Sequence, residues 1–109
     1  MIREKLLQSN FFKFEFILDD KIIGRAFLFI IYNDLHQKPY GLLEDVFVEE
    51  EYRGKGIGKE LVKRVIEKAK ELGCYKLIAT SRFGREIVHK FYENLGFKKW
   101  GYDFRIDLE

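Results

Sequence analysis

Glu44-Asp45-Val46-Phe47-Val48, followed by Glu49-Glu50-Glu51-Tyr52-Arg53-Gly54-Lys55-Gly56-Ile57-Gly58, decides how the chain is read. Val46, Phe47 and Val48 are strand formers. From Ile57 onward, Leu61, Val62, Val65, Ile66, Ala69 and Leu72 recur at helical spacing on one face. Gly73 stands where a helix C-cap glycine belongs. The stretch reads as strand, glycine-rich turn and helix, the helix reaching to about residue 72.

The turn carries the chemistry. A helix N-terminus presents unpaired N–H groups and a partial positive charge. Acidic side chains ordinarily offset that charge, yet Arg53, Lys55 and Lys59 add to it. Gly54, Gly56 and Gly58 remove side chains that would hold a ligand off the backbone. Cations, bare N–H groups and a dipole together describe an anion site, most often for phosphate. The structural alternative is a tight turn whose glycines serve only positive φ, with Glu49, Glu50, Glu51 and Glu60 neutralising the lysines. The dinucleotide pattern Gly-x-Gly-x-x-Gly fails, because counted from Gly54 its third glycine falls on Lys59. The P-loop pattern is absent, and 109 residues are too few for a full dinucleotide-binding sheet.

The pattern that fits is Arg/Gln-x-x-Gly-x-Gly/Ala, met by Arg53, Gly56 and Gly58. It resembles the acetyl-CoA pyrophosphate loop of the GNAT superfamily of N-acetyltransferases. Downstream, Phe91-Tyr92-Glu93-Asn94-Leu95-Gly96-Phe97 is similar to the same family's second signature, a helix ending in Tyr-x-x-x-Gly-Phe. The likeness runs from about Phe12 to the C-terminus. Two departures accompany it. Arg85 stands where the family often opens its second helix with asparagine. The family's first strand and two acceptor-side helices have no room before Phe12, so a complete cofactor half and a shortened acceptor half are expected.

Length implies one domain over residues 1–109. Bases and acids nearly cancel at a net charge of +2, which does not call for nucleic acid or a membrane surface as partner. Cys74 is the lone cysteine, which excludes an internal disulfide. With Gly73 before it, an apolar strand after it and no base beside it, it reads as a buried structural thiol. No signal peptide or membrane span is visible, so a reduced, cytoplasmic protein is expected.

Along the chain, Phe12, Phe14, Phe16 and Leu18 alternate with Lys13 and Glu15 as a half-buried strand. A turn at Asp19-Asp20-Lys21 leads to an apolar central strand over residues 22–32. A polar loop follows, in which His36 reads as solvated, and then a strand over residues 40–48. After the first helix come a short parallel strand over residues 75–79 and a second helix over residues 85–95, with Ile87, Val88, Phe91 and Leu95 as its apolar stripe and His89 off it. Alternation at Tyr102, Phe104, Ile106 and Leu108 predicts a final strand, and residues 97–100 a further short one. The order is β-β-β-α-β-α-β(β), an α+β fold with a mixed sheet, similar to the acetyltransferase fold from that family's second strand on.

The resemblance implies acetyl transfer from acetyl-CoA to a primary amine, with no metal. Residues 53–59, namely Arg53, Gly54, Lys55, Gly56, Ile57, Gly58 and Lys59, then hold the pyrophosphate. The strand residues Val46, Phe47 and Val48 line the pantetheine, which runs beside them like another strand. The amine must lose a proton before it attacks. Glu44 is the candidate base and Asp45 the runner-up; being adjacent, they are expected on opposite faces, with one in the cleft. Tyr92 is the implied acid for the departing thiolate, against the alternative that it packs as part of the helix stripe. Two other readings compete. One is a non-catalytic acyl-CoA-binding module that regulates or docks. The other is a subunit whose acceptor site a partner completes, as a homodimer paired through the final strand.

Overall fold

Alternation builds the first hairpin. Phe12, Phe14 and Phe16 are half-buried on one face of β1 (Phe11–Leu18), while Lys13 and Glu15 are exposed between them. Asp19 and Asp20 both take positive φ, 48° and 64°, as tight hairpin turns require. β2 (Lys21–Ile31) returns antiparallel. A register shift at Phe16/Ile17 gives β2 one extra residue, and Leu18, the last residue of β1 before the hairpin turn, stands exposed.

The computed structural model describes residues 1–109, in two compact units, residues 1–79 and 80–109. In the first, β3 (Tyr40–Val48) pairs antiparallel with β2, and β4 (Leu77–Ala79) pairs parallel with β3, giving the sheet order β1-β2-β3-β4. Helix α1 (Ile57–Glu71) connects the two parallel strands. Its buried residues Ile57, Leu61, Val62, Val65 and Ala69 form one core with Ile23, Ala26, Leu28, Ile30 and Leu43 of the sheet. Gly41 keeps β3 close to its neighbours: a Cβ there would lie 2.9 Å from methyl groups of both Leu28 and Leu77. α1 stops in a Schellman motif, in which Gly73 at φ 77° donates to the Lys70 carbonyl and Cys74 donates to the Ala69 carbonyl. Burial raises the Cys74 thiol pKa, in keeping with a structural role. His36, expected to be solvated, is exposed, and its ring also stacks on Tyr75 with centroids 3.9 Å apart.

The second unit holds α2 (Glu86–Asn94) and the residues after it. The expected final strand does not form, nor does the short one before it. Residues 97–109 carry neither helix nor strand, and Trp100 and Phe104 are each 93% exposed. The alternation is present in the sequence, but a strand exists only where its N–H and C=O groups find a neighbouring edge. This segment joins no ladder within the single chain. Ile87, expected on the buried stripe of α2, is likewise exposed.

Candidate functional site

After Val48 a single 3-10 turn, Glu50–Tyr52, leads into Gly54 and Gly56 at φ 78° and 84°. A Cβ built on either glycine meets nothing within 4 Å. Open space, not tight packing, lies over this backbone. Gly56 is the N-cap of α1 and supplies no side-chain cap; the first helical bond runs from the Glu60 N–H to the Gly56 carbonyl. The N–H groups of Ile57, Gly58 and Lys59 precede that bond and have no partner in the helix ladder.

Arg53 is tied to the strand that feeds the loop. Its Nε donates to the Val48 carbonyl at 2.8 Å, and its guanidinium lies 5.3 Å from the centroid of Phe47. The Arg25 guanidinium sits over the same ring at 4.6 Å. Phe47 is thus a platform for two cations. Lys55 rests over Tyr52, its Nζ 5.5 Å from the ring centroid.

β3 does not keep its alternation. Phe27 faces Glu44, and two residues earlier in β2 Arg25 faces Phe47, so β3 carries one extra residue between the pairs. The bulge holds Asp45 at φ 51°, a region that few residues other than glycine, asparagine and aspartate accept. Arg25 secures it: Nε donates to Oδ2 at 2.9 Å and Nη2 to Oδ1 at 3.3 Å. Those hydrogen bonds hold the Asp45 carboxyl below its ordinary pKa and raise that of Arg25.

The bulge corrects the expectation that Glu44 and Asp45 point to opposite faces. Both line one open concavity of about 450 Å³, together with Phe27, Phe29 and Leu42. Parallel pairing with β4 ends at Leu43 and Ala79, so residues 44–48 have no strand on that edge.

In the second unit Tyr92 occupies a defined place at the end of α2. Gly96, at φ 100°, donates to the Glu93 carbonyl, and Phe97 donates to the Tyr92 carbonyl at 3.1 Å. This is a second Schellman motif, and Tyr92 and Phe97 are the two positions whose side chains meet across it. Their rings pack edge to face at 5.3 Å, with Phe91 on Tyr92 at 5.4 Å. The spacing Tyr-x-x-x-Gly-Phe therefore has a helix-ending reason independent of any chemistry. His89 differs from the solvated residue its place off the stripe implies: its side chain is 17% exposed and its Nε2 lies 2.8 Å from the Arg82 carbonyl.

Arg25 is a site residue that the sequence motifs do not single out. Its signal is an arginine within an otherwise apolar central strand, opposite a strand that carries two acids; a charge so placed needs a partner.

The sheet order, the glycine-rich turn into α1 and the order of strands and helices describe a GNAT-like fold. The model of the Acetyltransferase (GNAT) family matches residues 3–97, and the chain belongs to that family. Among curated relatives, a glucosamine 6-phosphate N-acetyltransferase of Trypanosoma brucei brucei is 43% identical over 68 residues, which are 62% of this chain and 44% of that protein. The chain thus spans less than half of that relative's length. Among solved structures, an acetyltransferase of Trypanosoma brucei superposes with a TM-score of 0.85 at 34% identity, covering 92% of this chain and 70% of that one. A transcriptional regulator of Bacillus halodurans C-125 superposes with a TM-score of 0.86 at 28% identity, covering 93% and 68%. No helix of the chain is long and apolar enough to cross a membrane.

Proposed function

We propose that this chain is an acetyl-CoA-dependent N-acetyltransferase that passes an acetyl group directly to a primary amine. One observation carries the reading: the open, cation-flanked N-terminus of α1 follows directly on a strand whose edge beyond Leu43 has no partner. The N–H groups of Ile57, Gly58 and Lys59 and the charges of Arg53, Lys55 and Lys59 receive the pyrophosphate, over Gly54 and Gly56. Val46 and Val48 offer main-chain groups to the pantetheine along the free edge, with Phe47 between them. The family membership and the glucosamine 6-phosphate N-acetyltransferase relative support the reaction class.

The acceptor arrives as an ammonium, and Glu44 takes one proton from it, directly or through water. The amine nitrogen then attacks the thioester carbon. The new C–N bond forms as the C–S bond breaks, and the nitrogen releases its second proton to solvent water. The departing thiolate takes a proton from the Tyr92 hydroxyl, by analogy with the family signature that Tyr92 matches. A cytoplasmic setting fits the lone Cys74. A homodimer would give the exposed alternating residues Tyr102, Phe104, Ile106 and Leu108, which form no strand within one chain, an edge to pair with; light scattering reads it directly.

The test is thiol release from acetyl-CoA across an amine panel, with Tyr92→Phe alongside. Turnover should fall by about 10²–10⁴-fold while acetyl-CoA affinity holds, the range general acid catalysis supplies. Wild-type protein that binds acetyl-CoA and acetylates no amine would replace the enzyme with a binding module.

A further inference from the structure

The sheet face that carries Phe27, Phe29 and Leu42 alternates with the face buried against α1. Three phenyl rings run across it. Phe11 and Phe29 stack at 4.8 Å, and Phe29 and Phe27 at 6.2 Å. Glu44 and Asp45 are the acidic part of the concavity's lining. The charges around it are not equivalent. Asp45 is neutralised by Arg25, and Glu15 by Lys13 at 3.3 Å. Glu44 has no ion pair and is exposed. An ammonium already uses this aromatic surface, since Lys13 Nζ lies 5.9 Å from the Phe27 centroid.

We propose that this concavity seats a cationic primary amine carried on an apolar body the size of one aromatic ring, and that it rejects phosphorylated amino sugars. This rests on the acetyl-transfer reading and names the acceptor class for it. Glu44 supplies the unpaired negative charge for the ammonium. Phe27, Phe29 and Leu42 supply a floor that a flat apolar group can cover. A phosphate dianion would meet Glu44 with like charge, and the nearest guanidinium is held by Asp45. The acceptor would thus differ in class from that named for the trypanosomal relative, glucosamine 6-phosphate.

The experiment is calorimetric titration of the full chain, saturated with CoA, using 2-phenylethylamine in one arm and glucosamine 6-phosphate in the other. The aromatic amine should bind more tightly by about tenfold or more, and Glu44→Gln should weaken it by about tenfold, as loss of a charged hydrogen-bond partner does. Phe29→Ala should weaken it as well. Since Glu44 is exposed, Glu44→Gln keeps the test alive if the Phe29 variant folds poorly. Tighter binding of glucosamine 6-phosphate, or an affinity for 2-phenylethylamine that Glu44→Gln leaves unchanged, overturns the proposal. Thiol release separates the two levels. Binding as expected without turnover on any amine keeps the site and removes the transferase reading. Turnover on amino sugar phosphates but not on aromatic amines keeps the transferase and removes this acceptor class.

Discussion

Replacing Gly56 separates the anion site from a turn that only needs glycine for its backbone. Gly56 sits at φ 84°, and a Cβ placed there would have no atom within 4 Å, so Gly56→Ala meets strain but no clash. The left-handed conformation costs a residue with a Cβ about 1–2 kcal/mol, and for a domain of this size each kcal/mol lowers Tm by about 4–8 °C. Gly56→Asn, a residue more tolerant of that region, should lose less stability. Ligand binding should respond in a different order. The added side chain projects into the open space at the turn into α1, on the side from which the pyrophosphate would approach. Two hydrogen bonds to a charged group lost at about 1.5–3 kcal/mol each amount to an affinity loss of about 100-fold or more. Thermal denaturation without ligand measures the first quantity, and calorimetric titration with CoA measures the second. If both variants bind CoA as the wild type does while melting at the lower temperatures expected, the glycine serves only the turn and the anion-site argument fails.

Leu28 is fully buried between sheet and helix, so Leu28→Ala should destabilise by about 2–5 kcal/mol in a denaturant titration. Asp45 has a depressed pKa in the fold, so the stability its pairing gives is complete above the unfolded aspartate value of about 3.9 and is lost as pH falls through the lower folded value. Asp45→Asn should remove that loss from a stability–pH curve at the acid end. Cys74, whose burial raises its pKa, should react slowly with a thiol reagent at neutral pH and rapidly once the chain is unfolded.

Much of the first unit is legible in the sequence because its periods are strong. The apolar stripe of α1 and the glycine after it place a helix to about residue 72, against Ile57–Glu71 in the structure. The apolar run over residues 75–79 implies a strand, and Leu77–Ala79 form it. Two features are illegible for physical reasons. A bulge leaves no mark on hydrophobic periodicity when it falls at charged residues; Glu44 and Asp45 look alike in sequence whether they share a face or not. The Arg25 and Asp45 pair that fixes the bulge is separated by 20 residues and meets only once the strands are in register. The alternation of residues 102–108 is legible as strand potential, but strand formation depends on an edge that the segment itself does not carry.

β3 meets two demands that a regular strand cannot satisfy together. As an interior strand it must pair on both sides, yet a ligand lying along it as another strand needs one side left free. The strand divides the tasks along its length. Residues 41–43 pair with β4, and from Glu44 onward only β2 remains as partner. The bulge begins where β4 stops. An insertion there adds twist and turns Asp45 onto the side already occupied by Glu44, so the same residue that ends regular pairing also concentrates the carboxylates on one face. Arg25 makes positive φ tolerable for this aspartate, because it joins the bulge to the neighbouring strand by two hydrogen bonds. It also lies on Phe47, which in turn bears Arg53, the residue that hydrogen-bonds the last carbonyl of the strand and opens the glycine turn. The acid-lined concavity and the anion loop are therefore linked through one ring and two guanidinium groups within a single strand and its continuation.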